Sequence, residues 1–459
     1  MKGKRRYIVI ALGIIAMVSL MVGCVPEVTP TPPPPPPPPP TPTPPEEELW
    51  TPESIVKLPE GTTKPWKEGE IIIAFCSDIT GAIAAEQCHR TPAQHIFIDY
   101  LNEEWGGIDG HPIKVLWEDT EYNPARIMTA YKRFIAAGAK MIVTDGSVGG
   151  TATKALAPID DIVVTNGGGA LDNYYPAGRV FSTCPNYARS FVSWMEWVKE
   201  DWAAAGHTGT PKVGTMQWDN AFGRAILPQG YVWAAKNDVD IVGSEFIPLK
   251  PLDVTTQLLA LKGKDAQYIY VNCITWAGAT ALNDAKKLGM IPGVKFGGVN
   301  WCFKPSMIEL AGDNFEGFIS PTAFPANWDI PGMVTPELER IWEKYTPRYA
   351  IDKPEFRSQD WLSGWGETAI LCLGCYNAVK KVGYENLTGG AIFDGIKQLN
   401  VQYPGVPKQT LNMTQYPEDR ESCDTIMLWE WTKEKGFQPV TDWFKMKELP
   451  MPKEGDPYY

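Results

Sequence analysis

The stretch Met141 to Pro158, MIVTDGSVGGTATKALAP, runs from an apolar segment through a glycine-rich turn into a segment of helix formers. It reads as a strand, a tight loop and a helix start. Gly146, Gly149 and Gly150 let the backbone come close to whatever lies over the loop, and Ser147 and Thr151 offer hydroxyls beside main-chain amides left unpaired at a helix N-terminus. Such an end attracts anions. No Gly-Lys-Ser/Thr closes the loop and the G-x-G-x-x-G order is missing, so neither a Walker loop nor a dinucleotide site is indicated. Standing alone, the loop is equally a turn capped by its own Ser or Thr.

Outward from this unit the chain alternates strand-like and helix-like segments. Strand candidates begin near Ile71, Ile113, Met141 and Ile162, and again near Lys212, Asp240, Gln267 and Val294. Helical patterning covers 125–137, 191–205, 221–236 and 277–288. In the second half the strand starts are 28, 27 and 27 residues apart, about one βαβ unit each. Two such runs, broken at 183–186, predict an α/β fold of two doubly wound parallel-sheet lobes. The expected boundaries are 67–185 and about 303–423 for the first lobe, 186–302 and about 424–445 for the second, and a tail at 446–459.

Ligands of open parallel sheets bind off the carboxyl ends of the strands. Those ends carry Ser77 and Asp78, then Ser147 and Val148, then Gly167, Gly168 and Gly169 in the first half. The second half offers Phe222, Asn272, Trp276, Asn300 and Trp301, and Tyr187 follows the break between the halves. Hydroxyls, amides, small residues and aromatics together suit a small polar ligand. The candidate ligand contacts are Ser77, Asp78, Ser147, Val148, Gly167, Gly169, Tyr187, Phe222, Asn272, Trp276, Asn300 and Trp301.

The chain opens with Lys2, Lys4, Arg5 and Arg6, then an apolar run from Tyr7 to Val22, then Gly23-Cys24. This resembles a bacterial lipoprotein signal over 1–23, in which Cys24 becomes the lipidated first residue, although Met21 stands where Leu is usual. An uncleaved anchor is the rival reading, but sixteen residues with Gly13 and Ser19 among them are short for a span of about 20. Residues 24–66 form a proline-rich stalk with nine consecutive prolines, Pro32 to Pro40. At about 3.1 Å per residue such a segment spaces the body on the order of 100 Å from its anchor, and a proline-rich peptide ligand is the alternative. The expected location is outside the cytoplasm, lipid-anchored at the outer face of the membrane. Of 42 basic residues the signal removes four, leaving 38 against 54 acidic ones, a net charge near −16 that argues against nucleic acid as partner.

Motifs in order along the body carry a resemblance. They are I-x-I-A-F-x-S-D-I-T-G from Ile71, Asn102 to Ile113, Asp219 to Gly223, Gly297-Gly298 and Tyr416 to Arg420. Over roughly Glu68 to Phe444 the chain resembles the type I periplasmic binding proteins of ABC importers, the branched-chain amino acid group in particular. The resemblance implies a clamshell of two lobes joined by three crossovers, which closes on a ligand and delivers it to a membrane permease. It also implies that a ligand carboxylate meets the Ser147 loop and the main chain at Gly167 and Gly169, with Phe222 as the second-lobe aromatic. Three departures stand out. Asn300 occupies the place of the Glu that pairs with a ligand ammonium, Gly169 lacks the expected threonine hydroxyl, and Ile274 replaces the usual aromatic, with Trp276 two residues on. With Asp219 outside the aligned ligand positions, Asp78 the only other carboxylate near the cleft, and a buried ammonium costly without a partner, the expected ligand need not be an α-amino acid. An amino acid, an aromatic or branched carboxylic acid, or an amide all fit.

The remaining chemistry is sparse. His89, His95, His111 and His207 have no metal-ligand spacing, and no cofactor motif is present. Cys372-Leu-Gly-Cys375 has redox spacing but lies in an apolar helical pattern, where core packing is the plainer role. No Ser, His and acid set marks an enzyme. A ligand-sensing module reporting to a membrane partner is the alternative function, since the fold serves both.

Overall fold

The computed structural model describes residues 66–414 and 423–458. The signal segment, the stalk, Cys24 and the motif Tyr416 to Arg420 lie outside the described residues.

The first sheet is parallel and built from β1 (Ile71–Ser77), β2 (Ile113–Asp119), β3 (Met141–Thr144), β4 (Val163–Asn166) and β5 (Val180–Ser182), in the order β2-β1-β3-β4-β5. The runs IIIAFCS, MIVT and VVTN are buried nearly throughout, as strands covered on both faces require. Helices α1 (Ala84–Glu104), α2 (Pro124–Ala136) and α3 (Gly146–Thr153) cross over between them. Asn123 sets the start of α2 by accepting from Ala125 N at 2.9 Å and Arg126 N at 3.3 Å, with Pro124 in the first turn, where its missing N–H is harmless.

Helix α4 (Tyr187–Ala204) opens the second lobe. Its sheet repeats the same winding with β6 (Lys212–Trp218), β7 (Asp240–Ile247), β8 (Tyr268–Asn272), β9 (Lys295–Gly298) and β10 (Phe318–Thr322), in the order β7-β6-β8-β9-β10. Helix α5 (Thr275–Lys287) follows β8. The chain then returns to the first lobe for α6 (Gln359–Val382) and a small hairpin, β11 (Asn400–Gln402) with β12 (Thr410–Asn412). It ends on the second sheet with antiparallel β13 (Thr425–Thr432) and β14 (Gly436–Pro439), β13 pairing with β10. The eight expected strand starts fall within a residue of those observed for β1 to β4 and β6 to β9, while β5 and β10 to β14 were not expected.

Three segments cross between the lobes, at 183–186, at Thr322–Ala323, and just before Met427. The second crossing lies about twenty residues later than expected. Phe303, Met307, Phe315 and Phe318 pack into the second core and β10 extends the second sheet beside β9, so 303–322 belong to the second lobe, not the first. The start of the tail is docked on the second lobe, where Arg189 donates to the carbonyls of Lys447 and Met446 at 2.9 Å and Gln229 to that of Pro450 at 3.0 Å. The expected helix over 221–236 is two helices, Ala221–Arg224 and Leu227–Ala234, because Pro228 has no N–H to continue the first and starts the second.

Helix α6 is the spine of the first lobe, buried along most of its length, Cys372 and Cys375 included. Burial pushes both thiols up, which suits packing rather than redox chemistry. Trp361 stacks on Trp365 at 5.3 Å and meets Trp328 and Trp342 edge-on at 5.5 and 5.4 Å. Trp361→Ala should therefore cost about 3–5 kcal/mol, visible as a lower urea midpoint. A shift under about 1 kcal/mol would mean that the cluster does not hold the lobe.

Candidate functional site

The parallel registers bring the strand ends Ser77, Asp119, Thr144, Asn166 and Ser182 to one edge of the first sheet, facing the ends of β6, β8 and β9. Between the two edges lies a narrow cavity, partly open to solvent. The first lobe lines it with Ile83, Glu86, Arg90, Tyr122, Gly146, Ser147 and Gly167, the second with Tyr187, Phe222, Ile274 and Trp301.

Ser147 sits in the first turn of α3. Gly146 before it has φ +45°, a left-handed conformation that a side chain would strain, so the sharp entry into α3 needs glycine. The Ser147 hydroxyl is buried without a protein partner. Gly167 lies close under Arg90, since a Cβ there would stand 2.6 Å from Nη2. Gly149 and Gly150 have a different role from the one expected. Both lie inside α3, where a Cβ would come within 2.7 Å of Thr144 and of Asn166, so they let the helix pack on its sheet rather than admit a ligand. Thr151 is likewise in the second turn, donating to Ser147 O at 2.9 Å.

On the second lobe the aromatic wall is built, not incidental. Asn272 Nδ2 donates to Phe222 O at 3.0 Å and Gly223 O at 3.1 Å, fixing the short helix that presents Phe222. The ring meets Tyr187 edge-on at 5.0 Å, and Trp301 Nε1 donates to Tyr187 Oη at 2.7 Å.

Of the expected contacts, the structure brings Ser147, Gly167, Tyr187, Phe222 and Trp301 to the cavity. Asn272 stands behind it. Ser77 and Val148 are packed nearby, and a Cβ at Gly169 would strike Pro185 O. Asp78 is occupied with its own loop, accepting from Gly81 N and from Ile83 N at 2.8 Å. Trp276 is half exposed on α5 and bonds Pro251 O at 3.3 Å, away from the cavity, while Ile274 faces it. Asn300 is buried beside Cys184, and its main-chain carbonyl accepts from Gln359.

Two ionic residues of α1 were not foreseen, and they change the electrostatics. Glu86 Oε1 lies 3.1 Å from Lys304 Nζ and 3.3 Å from Thr275 Oγ1, both on the second lobe. Lys304 also bonds Asp360 on α6, and the side chains of Lys304, Glu86 and Asp360 are 1%, 3% and 0% exposed. Burial would strip the Lys304 proton, but Asp360 and Glu86 outweigh it and raise its pKa. Glu86 is raised by burial, with Lys304 opposing, as expected where one ammonium is shared between two carboxylates. Arg90 bonds Glu367 and lies 5.6 Å from the Trp301 ring centre. Glu367 also accepts from Ser363 at 3.0 Å and Gln94 at 3.2 Å. Glu86 Oε2 and Arg90 Nε are, like Ser147 Oγ, buried without protein partners. The expectation that only Asp78 offers a carboxylate to the cleft is thus overturned by Glu86. Glu86, Arg90 and Gln94 recur every four residues, a pattern that reads as a solvated helix face until α6 is packed over it.

His89 lies 3.0 Å from Ser358 Oγ, and burial lowers its pKa to about 4, so it is a neutral packing residue. Among the described residues no group of His, Cys, Asp and Glu is placed to hold a metal ion, no disulfide joins the cysteines, and no helix is long and apolar enough to cross a membrane.

A family model described as periplasmic binding protein matches residues 70–432. Among solved structures, a branched-chain amino acid ABC transporter protein from Thermus thermophilus with bound valine superposes with TM-score 0.71 at 20% identity, covering 82% of this chain and 97% of that one. A fatty acid ABC transporter substrate-binding protein from Thermomonospora curvata gives 0.70 at 18%, covering 83% and 94%. A solute-binding protein from R. palustris in complex with 4-hydroxybenzoate gives 0.68 at 14%, covering 83% and 98%. At these identities the likeness establishes the fold. No curated protein matches the chain.

Asp145, just ahead of α3, is wholly buried. Burial raises its pKa to about 7 against the pull of the Thr120 hydroxyl, which bonds it together with Gln87 Nε2 at 3.2 Å. A folded-state value above the ordinary 3.8 means a contribution to stability that is complete below about pH 4 and lost as pH rises through 7. Asp145→Asn should therefore gain on the wild type in melting temperature between pH 4.5 and pH 8. A gap that stays flat over that range would show that Asp145 does not titrate there.

Proposed function

The chain belongs to the periplasmic binding protein family, and from that premise we propose that it is an extracytoplasmic receptor, lipid-anchored through Cys24, that feeds an ABC importer. It captures a small ligand between its lobes, with a carboxylate or other polar head on the Ser147 turn and an apolar or aromatic body against Phe222, Ile274 and Trp301.

One observation carries this reading. Buried polar atoms of Ser147 and Arg90 lack protein partners and line the same cavity as the Phe222, Tyr187 and Trp301 rings. An unpaired buried donor costs about 1–3 kcal/mol, a cost that a bound acceptor removes. The amides at the start of α3 favour an anion at the same spot. Valine, a fatty acid and 4-hydroxybenzoate, named for three proteins of this fold, share a carboxylate and differ in the body attached to it. That is the division of labour expected of a polar turn facing an apolar wall.

A thermal-shift screen of the chain from Trp66 onward against amino acids, branched and aromatic carboxylic acids and amides tests it. A ligand at a hundred times Kd should add about 2.7 kcal/mol and shift tryptophan fluorescence as Trp301 loses its remaining water. Ser147→Ala should then weaken binding by about 1 kcal/mol. No stabilisation by any of these classes would move the ligand chemistry elsewhere.

The anchor is tested separately. Cys24→Ser should release the protein from membranes into the soluble fraction. Retention of the variant in the membrane would favour an uncleaved anchor.

A further inference from the structure

We propose that Glu86 is the specificity-determining residue of this cleft, taking a cationic group of the ligand on Oε2 while Lys304 and Thr275 hold Oε1. The inference rests on the reading of the cavity as the ligand site and names the class of ligand it selects. These are molecules that carry a positive charge close to the head held by Ser147 and Arg90.

The argument is one of charge and position. Arg90 and Glu367 neutralise each other within hydrogen-bond contact. Among the described residues Lys304 is the one cation bonded to Glu86 and Asp360, with Arg90 acting on Asp360 from further off, so this bonded group of three is one negative charge in excess, with every member nearly or fully out of water. Buried charge left without a partner is strongly unfavourable. The excess can be met from one direction only. Asp360 Oδ1 is likewise without a protein partner but Asp360 does not line the cavity, whereas Glu86 lines it and keeps Oε2 free of protein partners. Tyr122, Phe222 and Ile274, which also line the space, bring no charge to answer it. A ligand cation would do so.

Glu86 is also where recognition meets closure. Its carboxylate belongs to α1 of the first lobe, and the groups on Oε1, Lys304 and Thr275, belong to the second. Thr275 lies 3.1 Å from the carbonyl of Trp301, whose indole lines the same cavity. A cation on Oε2 therefore completes an ion group that exists only when the lobes are shut. Burial raises the Glu86 pKa in the empty cleft, in keeping with a carboxylate that still awaits a partner.

The test uses matched pairs differing only in an ammonium, leucine with 4-methylpentanoate and phenylalanine with 3-phenylpropanoate, titrated into the wild type and Glu86→Gln by calorimetry. The wild type should prefer the amine-bearing member of a pair by about tenfold or more, the scale of one hydrogen bond to a charged group. Glu86→Gln should bind both members alike. Preference for the desamino acid, or a preference for the amine that survives in Glu86→Gln, overturns the inference while leaving the cleft as the ligand site. Should neither member of either pair bind the wild type, the ligand-free proteins decide. Glu86→Gln keeps an acceptor for Lys304 and Thr275 and removes the excess charge, so its melting temperature at pH 7 should equal or exceed that of the wild type. A lower one makes Glu86 a structural partner of Lys304 and sinks the inference.

Discussion

Lys304 carries one ammonium into a place without water and shares it between carboxylates from two helices of the opposite lobe. Each ion on its own would cost several kcal/mol to bury, and their attraction offsets this only because the three meet within hydrogen-bond contact. The arrangement therefore demands that α1, α6 and the turn after β9 arrive together. Much of the fold serves that demand. The long buried helix α6 lies across α1, Gln359 at its start bonds the carbonyls of Asn300 and Phe303, and those bonds seat the segment that ends in Lys304.

The same elements define the cavity. Glu86 and Arg90 lie one turn apart on α1 and face the space between the lobes, Arg90 against Glu367 of α6 and Glu86 against Lys304. The apolar wall opposite is fixed by neutral hydrogen bonds, from Asn272 to the Phe222 turn and from Trp301 to Tyr187. One side of the cleft is thus held mainly by charge and the other by packing and neutral hydrogen bonds, and the two are joined where Thr275 meets Glu86 and the carbonyl of Trp301.

Most of the architecture was legible in the sequence because buried parallel strands are short apolar runs bounded by glycine and polar turns. The 27–28 residue spacing of the second half gave the repeat of the winding directly. Cavity-lining positions were legible where the backbone itself decides them, as at Ser147 and Gly167. They were not where side-chain direction matters. Ile274 is the extended residue just before α5 and enters the cavity, whereas Trp276, two residues on, is already inside the helix, where a turn of about 100° per residue carries it outward. Asp78 read as a ligand contact because local side-chain capping and ligand binding use the same acceptor. Glu86 and Arg90 were missed for a deeper reason. A Glu and Arg four residues apart on a helix signal a solvated face, and only the later return of α6 from 359 onward buries them. The position of that return was itself misplaced by about twenty residues, since β10 looks no different from a first-lobe strand until its partner β9 is known.

Closure follows from the same balance of large terms. If the lobes parted, Lys304 and Thr275 would leave Glu86, and the hydration regained by the ions would oppose the ion pairing lost. Opposing terms of this kind allow an equilibrium between open and shut forms that a ligand can tip. A ligand tips it only by what it contributes to the shut form alone. The polar atoms of Ser147, Arg90 and Glu86 are walled by residues of the second lobe, Phe222, Ile274 and Trp301, so a ligand touching all of them finds its full set of partners only between closed lobes. On the proposed reading binding and closure are for that reason coupled, and a ligand too short to span from the Ser147 turn to the aromatic wall would couple to closure only weakly.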